Sequence, residues 1–77
     1  MEVTTIDYYL VRKQLGEMLF VSGDNPKAVK TDRAIEHAKR FESPGDALAF
    51  RSDMDAQWQS RFIVHEYDGS LLHSLDV

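Results

Sequence analysis

Ala38-Lys39-Arg40-Phe41-Glu42-Ser43-Pro44-Gly45-Asp46-Ala47-Leu48-Ala49-Phe50 joins the end of one element, a helix start and the first residues of a new apolar stripe. Ser43 supplies a hydroxyl at an N-cap position, and Pro44 follows at the first helical position, where a missing N–H costs nothing. Asp46 then sets a carboxylate beside the free N–H groups of the first turn. A helix is predicted to begin here. Towards the C-terminus, Ala47, Phe50, Met54 and Trp58 recur at spacings of three and four, which places them on one helix face. Towards the N-terminus, Thr31 or Asp32 can cap a shorter helix on which Ala34, Ile35, Ala38 and Phe41 share one side and Arg33, Glu36 and Arg40 face water.

Strand patterns flank this helical middle. From Thr5 to Lys13, Ile6, Tyr8 and Leu10 alternate with Asp7, Tyr9 and Val11, a β-branched and aromatic run suited to a pleated surface. Gln14-Leu15-Gly16-Glu17 supplies a turn, and Met18-Leu19-Phe20-Val21 returns as a second strand ended by Ser22-Gly23-Asp24-Asn25-Pro26. After the helices, Ser60 to Tyr67 alternates again and stops at Asp68-Gly69, a strong hairpin signal. A two-residue loop there pairs Glu66 with Leu71, Val64 with His73 and Phe62 with Leu75, so Phe62, Val64, Leu71 and Leu75 share an apolar face and Leu71 to Val77 forms the last strand. The expected fold is a single α+β domain over residues 1–77. It has two layers, an antiparallel sheet of three to four strands in ββααββ order with two helices on one face.

Composition narrows the function classes. The chain has 77 residues, 43% hydrophobic and 29% charged, which is an ordinary globular balance. It contains no cysteine, so neither a disulfide framework nor a thiolate metal site is open to it. Met1-Glu2-Val3-Thr4-Thr5 lacks the basic and apolar regions of a secretory leader, and no apolar run approaches the ~20 residues that span a bilayer. These features predict a cytoplasmic protein that does not enter membranes. A formal net charge of −4 disfavours nucleic acid as a partner, because affinity for a phosphate backbone comes mainly from clustered Lys and Arg.

Catalytic signatures are missing from the sequence. It holds no Gly-rich phosphate loop, no nucleophile elbow and no His-acid-Ser arrangement, and a chain this short has little room for a closed pocket of ~300 Å3 or more. The expectation is therefore no enzyme, no catalytic residues, no cofactor and no small-molecule substrate. The histidines do not form a metal set: in the two-residue-loop register His65 and His73 face opposite sides of the hairpin, and His37 belongs to a separate element. Asp53 and Asp55, two apart on a helix, read as solvated helix-end charges.

Aromatics are the remaining signal. Adjacent Tyr8 and Tyr9 must face opposite sides of their strand, so one lies under the helices and the other on the uncovered face. That uncovered face is expected to gather Tyr9, Val11, Leu19, Val21, Ile63, His65 and Tyr67 into an amphipathic patch that could bind a protein partner or a second copy of the chain.

Thr31-Asp32 before a short helix, Ala38-Lys39-Arg40-Phe41-Glu42-Ser43, then Ala47, with a hairpin before and Phe62-Ile63-Val64 after, make up roughly half of the chain. In this pattern the protein resembles a group of small uncharacterised proteins encoded by phages and prophages of Gram-positive bacteria. The resemblance implies structural roles for Ala38, Phe41 and Ser43 and an accessory role on a mobile element, and it brings no site residues with it. Taken together, these readings predict a non-enzymatic protein-binding module that modulates a host protein. The alternatives are a structural protein that dimerises through its exposed sheet face, and an acidic inhibitor of a nucleic-acid-binding or host-defence protein that uses Asp46, Asp53 and Asp55.

Overall fold

A computed structural model of the chain describes residues 6–75. Five strands, β1 (Asp7–Gln14), β2 (Glu17–Val21), β3 (Thr31–Asp32), β4 (Ile63–Tyr67) and β5 (Leu72–Ser74), form one antiparallel sheet in the order β3-β2-β1-β4-β5. Two helices, α1 (Pro44–Ser52) and α2 (Ala56–Gln59), lie between β3 and β4 in the chain. The fold is the small α+β unit expected, but with five strands instead of three to four and in βββααββ order instead of ββααββ, because Thr31–Asp32 joins the sheet as an edge strand. The strand bounds expected at Thr5 and Val77 lie outside the described residues.

The turn between β1 and β2 decides which side chains share a face. Leu15 and Gly16 adopt φ of 53° and 81°, the double left-handed conformation of a primed two-residue turn, whose twist matches that of the strands it joins. A loop of this length pairs Gln14 with Glu17 and Val11 with Phe20. Even-numbered residues of β1 therefore stand beside odd-numbered residues of β2. Tyr8, Leu10, Leu19 and Val21 point to the helices, while Tyr9, Val11, Met18 and Phe20 point to the opposite face.

The segment between β3 and α1 departs from the expected short helix. Thr31 and Asp32 pair with Val21 and Phe20 as an edge strand, and only a single 3-10 turn, Ile35–His37, follows. The Asp32 carboxylate accepts the Ala34 N–H at 2.8 Å and so bends the chain where a helix would otherwise have started. The chain then runs extended past the end of β2. The Lys39 N–H donates to the Val21 carbonyl at 2.8 Å, and Phe41 exchanges two backbone hydrogen bonds with Tyr8, at 2.9 and 3.0 Å. This crossing carries the chain from one side of the sheet to the other. Ile35 and Ala38 pack against Tyr9, Val11 and Phe20, whereas Phe41 packs with Leu10, Val21 and Val64 on the helix side. The side shared by Ala34, Ile35, Ala38 and Phe41 in a helical reading does not exist, because backbone bonds to Val21 and Tyr8 replace the helical ones.

Ser43 does cap α1. Its hydroxyl oxygen accepts the Asp46 N–H at 3.1 Å, Pro44 occupies the first turn and Asp46 stands beside it. The stripe Ala47, Phe50, Met54 and Trp58 reaches the core, though spread over α1, the break after it, where Met54 sits, and α2 instead of one helix. The Ser52 hydroxyl donates back to the Leu48 carbonyl at 2.9 Å, and the Gln59 side-chain amide donates to the Ser52 and Met54 carbonyls at 3.2 and 2.8 Å. Gln59 thus satisfies carbonyls that a continuous helix would have bonded internally, and the break turns α2 back towards β4. Asp53 and Asp55 sit exposed at this break, at the C-cap of α1 and the N-cap of α2.

The last hairpin has a four-residue connection, Asp68 to Leu71, where the sequence suggested two. Glu66 pairs with His73 and Tyr67 with Leu72. The Asp68 carboxylate accepts the Ser70 and Leu71 N–H groups at 2.9 and 2.8 Å, and Gly69 takes φ of +95°. This side-chain-closed turn outcompetes the two-residue one. Because the register moves by two, facing is preserved: the Leu75 N–H donates to the Val64 carbonyl at 2.8 Å and Leu75 joins the helix-side core, while Leu71 is left 60% exposed in the loop.

Those backbone N–H donors hold the Asp68 carboxyl below the usual carboxylate range, and the Ala34 N–H does the same for Asp32, with His37 adding to it. A folded pKa below the unfolded one contributes stability that is present above about pH 4 and lost as pH falls through the folded value. Thermal melting should therefore hold steady from neutral pH down to about pH 5 and decline below it. Asp68→Asn keeps an acceptor oxygen but cannot titrate, so its melting temperature should fall less steeply over the acid range. An unchanged slope would remove Asp68 from the account.

Candidate functional site

The seven residues expected to form an exposed patch are neither on one face nor exposed as a group. Tyr9, Val11 and His65 lie on the side away from the helices at 4%, 1% and 4% exposure, and Tyr67 is half-buried beside them. Leu19 and Val21 are on the helix side, with Val21 at 1% exposure in the main core. Ile63 is the exception, 48% exposed. Two causes produce the difference. The two-residue turn pairs odd with even positions, and the crossing segment lays Ile35 and Ala38 over the face expected to be bare. Tyr9 sits edge-on to Phe20 and Tyr67, with ring centroids 6.0 and 6.1 Å away, and burial pushes its phenol pKa up. The His65 ring Nδ1 lies 3.0 Å from the Ile63 carbonyl, which ties this imidazole into the sheet.

A different group of residues meets at the far end of the sheet. β1 outruns β4, since the β1–β4 register ends at Val11↔Ile63 while β1 continues to Gln14. Arg12 and Gln14 project from this overhang on the helix side. Across from them α2 presents Trp58, whose ring packs 6.2 Å from that of Phe62. The turn after α2, closed by the Arg61 N–H on the Trp58 carbonyl at 3.0 Å, brings Arg61 back over the same indole. The Arg12 and Arg61 guanidinium carbons stand 5.3 and 5.5 Å from the Trp58 ring centroid. Arg12, Lys13, Gln14, Trp58 and Arg61 line an open cleft of about 550 Å3.

The electrostatics of this cleft are one-sided. Ion pairs among the described residues join Arg33 to Glu17, His37 to Asp32 and Lys39 to Asp24, and none involves Arg12, Lys13 or Arg61. An Arg12 terminal nitrogen donates to the Gln14 side-chain oxygen, which fixes the orientation of the guanidinium. The Arg12 Nε is buried with no hydrogen-bond partner. An unpaired buried donor costs about 1–3 kcal/mol, more on a charged group. The indole offsets part of this: a guanidinium over an aromatic face gains ~0.5–2 kcal/mol, depending on its solvation. Chemically, the arrangement offers fixed N–H donors and positive charge around a rigid aromatic, which suits an anionic oxygen ligand.

A second open cleft, about 480 Å3, lies between Tyr9, Ile35 and Tyr67 and mixes Asp7 and Glu36 with Arg40. Among the described residues no three of His, Asp and Glu come together as a metal site, and His65 and His73 point to opposite faces of the hairpin, as their spacing predicts. No helix among the described residues is long and apolar enough to cross a membrane. Comparison with known proteins finds no family model, curated protein or solved structure that matches the chain.

Part of the cationic cleft is legible in the sequence, because Trp58 and Arg61 are three apart at a helix end. Arg12 is not, since only the β1 overhang and the break between α1 and α2 bring it to Trp58.

Proposed function

We propose that the chain is a non-enzymatic protein-binding module whose recognition surface is the Arg12–Trp58–Arg61 cleft. The observation that carries this reading is two guanidiniums, those of Arg12 and Arg61, held over one indole without ion-pair partners among the described residues, in a chain whose net charge is −4. Like charges held close together repel one another until a partner supplies the counter-charge. Arg and Trp are also the residue types that most often dominate binding energy at protein interfaces. Apart from Lys13, whose side chain alternates to the opposite face of the sheet, the lining residues carry no carboxylate, imidazole, hydroxyl, thiol or amine, which supports binding over acid–base or nucleophilic catalysis. An accessory role on a phage or prophage, with a host protein as target, rests on the Ala38 to Ala47 resemblance alone.

The test is affinity capture from a Gram-positive bacterial lysate with wild-type, Arg61→Glu and Ile63→Asp baits, alongside the solution mass of each bait. Arg61 and Ile63 are both exposed, so both variants should fold. The expected outcome is a monomeric bait and a saturable partner retained by Ile63→Asp and lost by Arg61→Glu. Loss with Ile63→Asp alone would return recognition to the sheet face. A wild-type dimer that Ile63→Asp dissociates would establish the self-associating structural protein instead.

A further inference from the structure

Resting on that reading, we propose that the ligand of the Arg12–Trp58–Arg61 cleft is an acidic linear segment, a short run of Asp and Glu side chains on a partner protein. The Arg12 and Arg61 guanidinium carbons stand 5.3 and 5.5 Å from the Trp58 ring centroid, and each group keeps an edge of N–H donors to meet an oxygen anion. A carboxylate matches that edge with paired hydrogen bonds, and Gln14 holds the Arg12 group in one orientation for it.

Two observations favour a polypeptide over a nucleic-acid strand. Single-stranded nucleic acid needs a bare aromatic face for its bases and a continuous cationic track for its phosphates. Trp58 already carries two guanidiniums, and Arg33 and Lys39 are paired with Glu17 and Asp24, so neither extends a cationic track from the cleft. The second observation is a free strand edge. Alternate residues of β1 direct their backbone groups to β2 and to β4. Gln14, beside the two-residue turn, and Tyr8, bonded to Phe41, both face the β2 side, so Lys13 faces the β4 side beyond the last β4 pair, Val11↔Ile63. Its N–H and C=O therefore open towards the cleft, where an extended peptide can take them up and a nucleic acid gains nothing.

Trp58 is the single tryptophan of the chain, so its intrinsic fluorescence reports on this cleft directly. Hexaglutamate peptide and a thymidine oligonucleotide of similar charge are titrated separately into wild-type protein, at low and at physiological salt. Hexaglutamate should change Trp58 emission saturably, with an affinity that falls several-fold as salt rises. Arg61→Glu, and independently Arg12→Gln, should each weaken it by about tenfold or more, the equivalent of 1.4 kcal/mol. Lys27→Glu, at an exposed position outside the cleft, should leave it unchanged, and circular dichroism should show all three variants folded. Tighter binding of the oligonucleotide, no saturable response to hexaglutamate, or wild-type affinity in both Arg61→Glu and Arg12→Gln would each overturn the proposal. A lysate partner that depends on Arg61 while hexaglutamate fails to bind would remove the acidic ligand and leave the binding-module reading standing.

Discussion

Phe41→Ala is expected to lower the unfolding free energy by about 3–5 kcal/mol, the usual range for deleting a buried phenylalanine side chain. Phe41 is 6% exposed and lies among Leu10, Val21, Ala47 and Val64, with the Phe50 ring 5.4 Å away and edge-on. It also anchors the crossing. The two backbone bonds to Tyr8 hold the chain at the point where it passes from one face of the sheet to the other, and the side chain locks that passage from the helix side. At roughly 0.05–0.15 kcal/mol per residue a domain of this length has a total stability on the order of 4–12 kcal/mol, so the substitution removes a large share of it. Urea unfolding followed by Trp58 fluorescence measures the loss. A midpoint that does not move would mean that Phe41 does not fill the core.

The second large effect is a contrast between two apolar positions that the alternation pattern treats alike. Val21→Asp should leave no stably folded protein under ordinary conditions, whereas Ile63→Asp should shift stability by about 1 kcal/mol or less. Val21 is 1% exposed in the helix-side core, so an aspartate there must be buried without a cationic partner or expel the elements packed upon it. Ile63 is 48% exposed, and a carboxylate there stays in water. Far-UV circular dichroism and thermal melting of the two variants decide the matter. Equal tolerance at both positions would place Val21 on an open face and undo the pairing of Val11 with Phe20.

The start of α1 was legible to the residue, because capping is a local competition. Ser43, Pro44 and Asp46 each act on N–H groups within one turn, and nothing distant alters that balance. The Leu15-Gly16 turn was legible for the same reason, and its length already implied the pairing of Val11 with Phe20. A two-residue loop sets odd positions of one strand against even positions of the other, so Leu19 and Val21 stand on the side away from Tyr9 and Val11. The segment after Asp32 was different. Its spacing of apolar residues fits one helix side, yet the backbone donors and acceptors of Val21 and Tyr8 at the end of β2 and along β1 were open to it. Pairing with them outweighed a short helix of modest intrinsic stability.

The meeting of Arg12 with the Trp58–Arg61 pair belongs to this second kind. Arg12 and Trp58 are far apart in the chain, and neither carries a local mark of the other. Their meeting depends on how far β1 overhangs β4 and on Gln59 capping the carbonyls of Ser52 and Met54, which turns α2 towards the overhang.

Local chemistry by itself thus determined the α+β class, the alternation of the strands, the cap of α1 and the opposite facing of Tyr8 and Tyr9. Each of these follows from groups a few residues apart. The tertiary structure alone decided the passage of residues 39–41 through the sheet, the covering of both its faces and the gathering of Arg12, Trp58 and Arg61. These are long-range pairings, settled by which backbone groups and apolar faces were still unsatisfied once the local elements had formed.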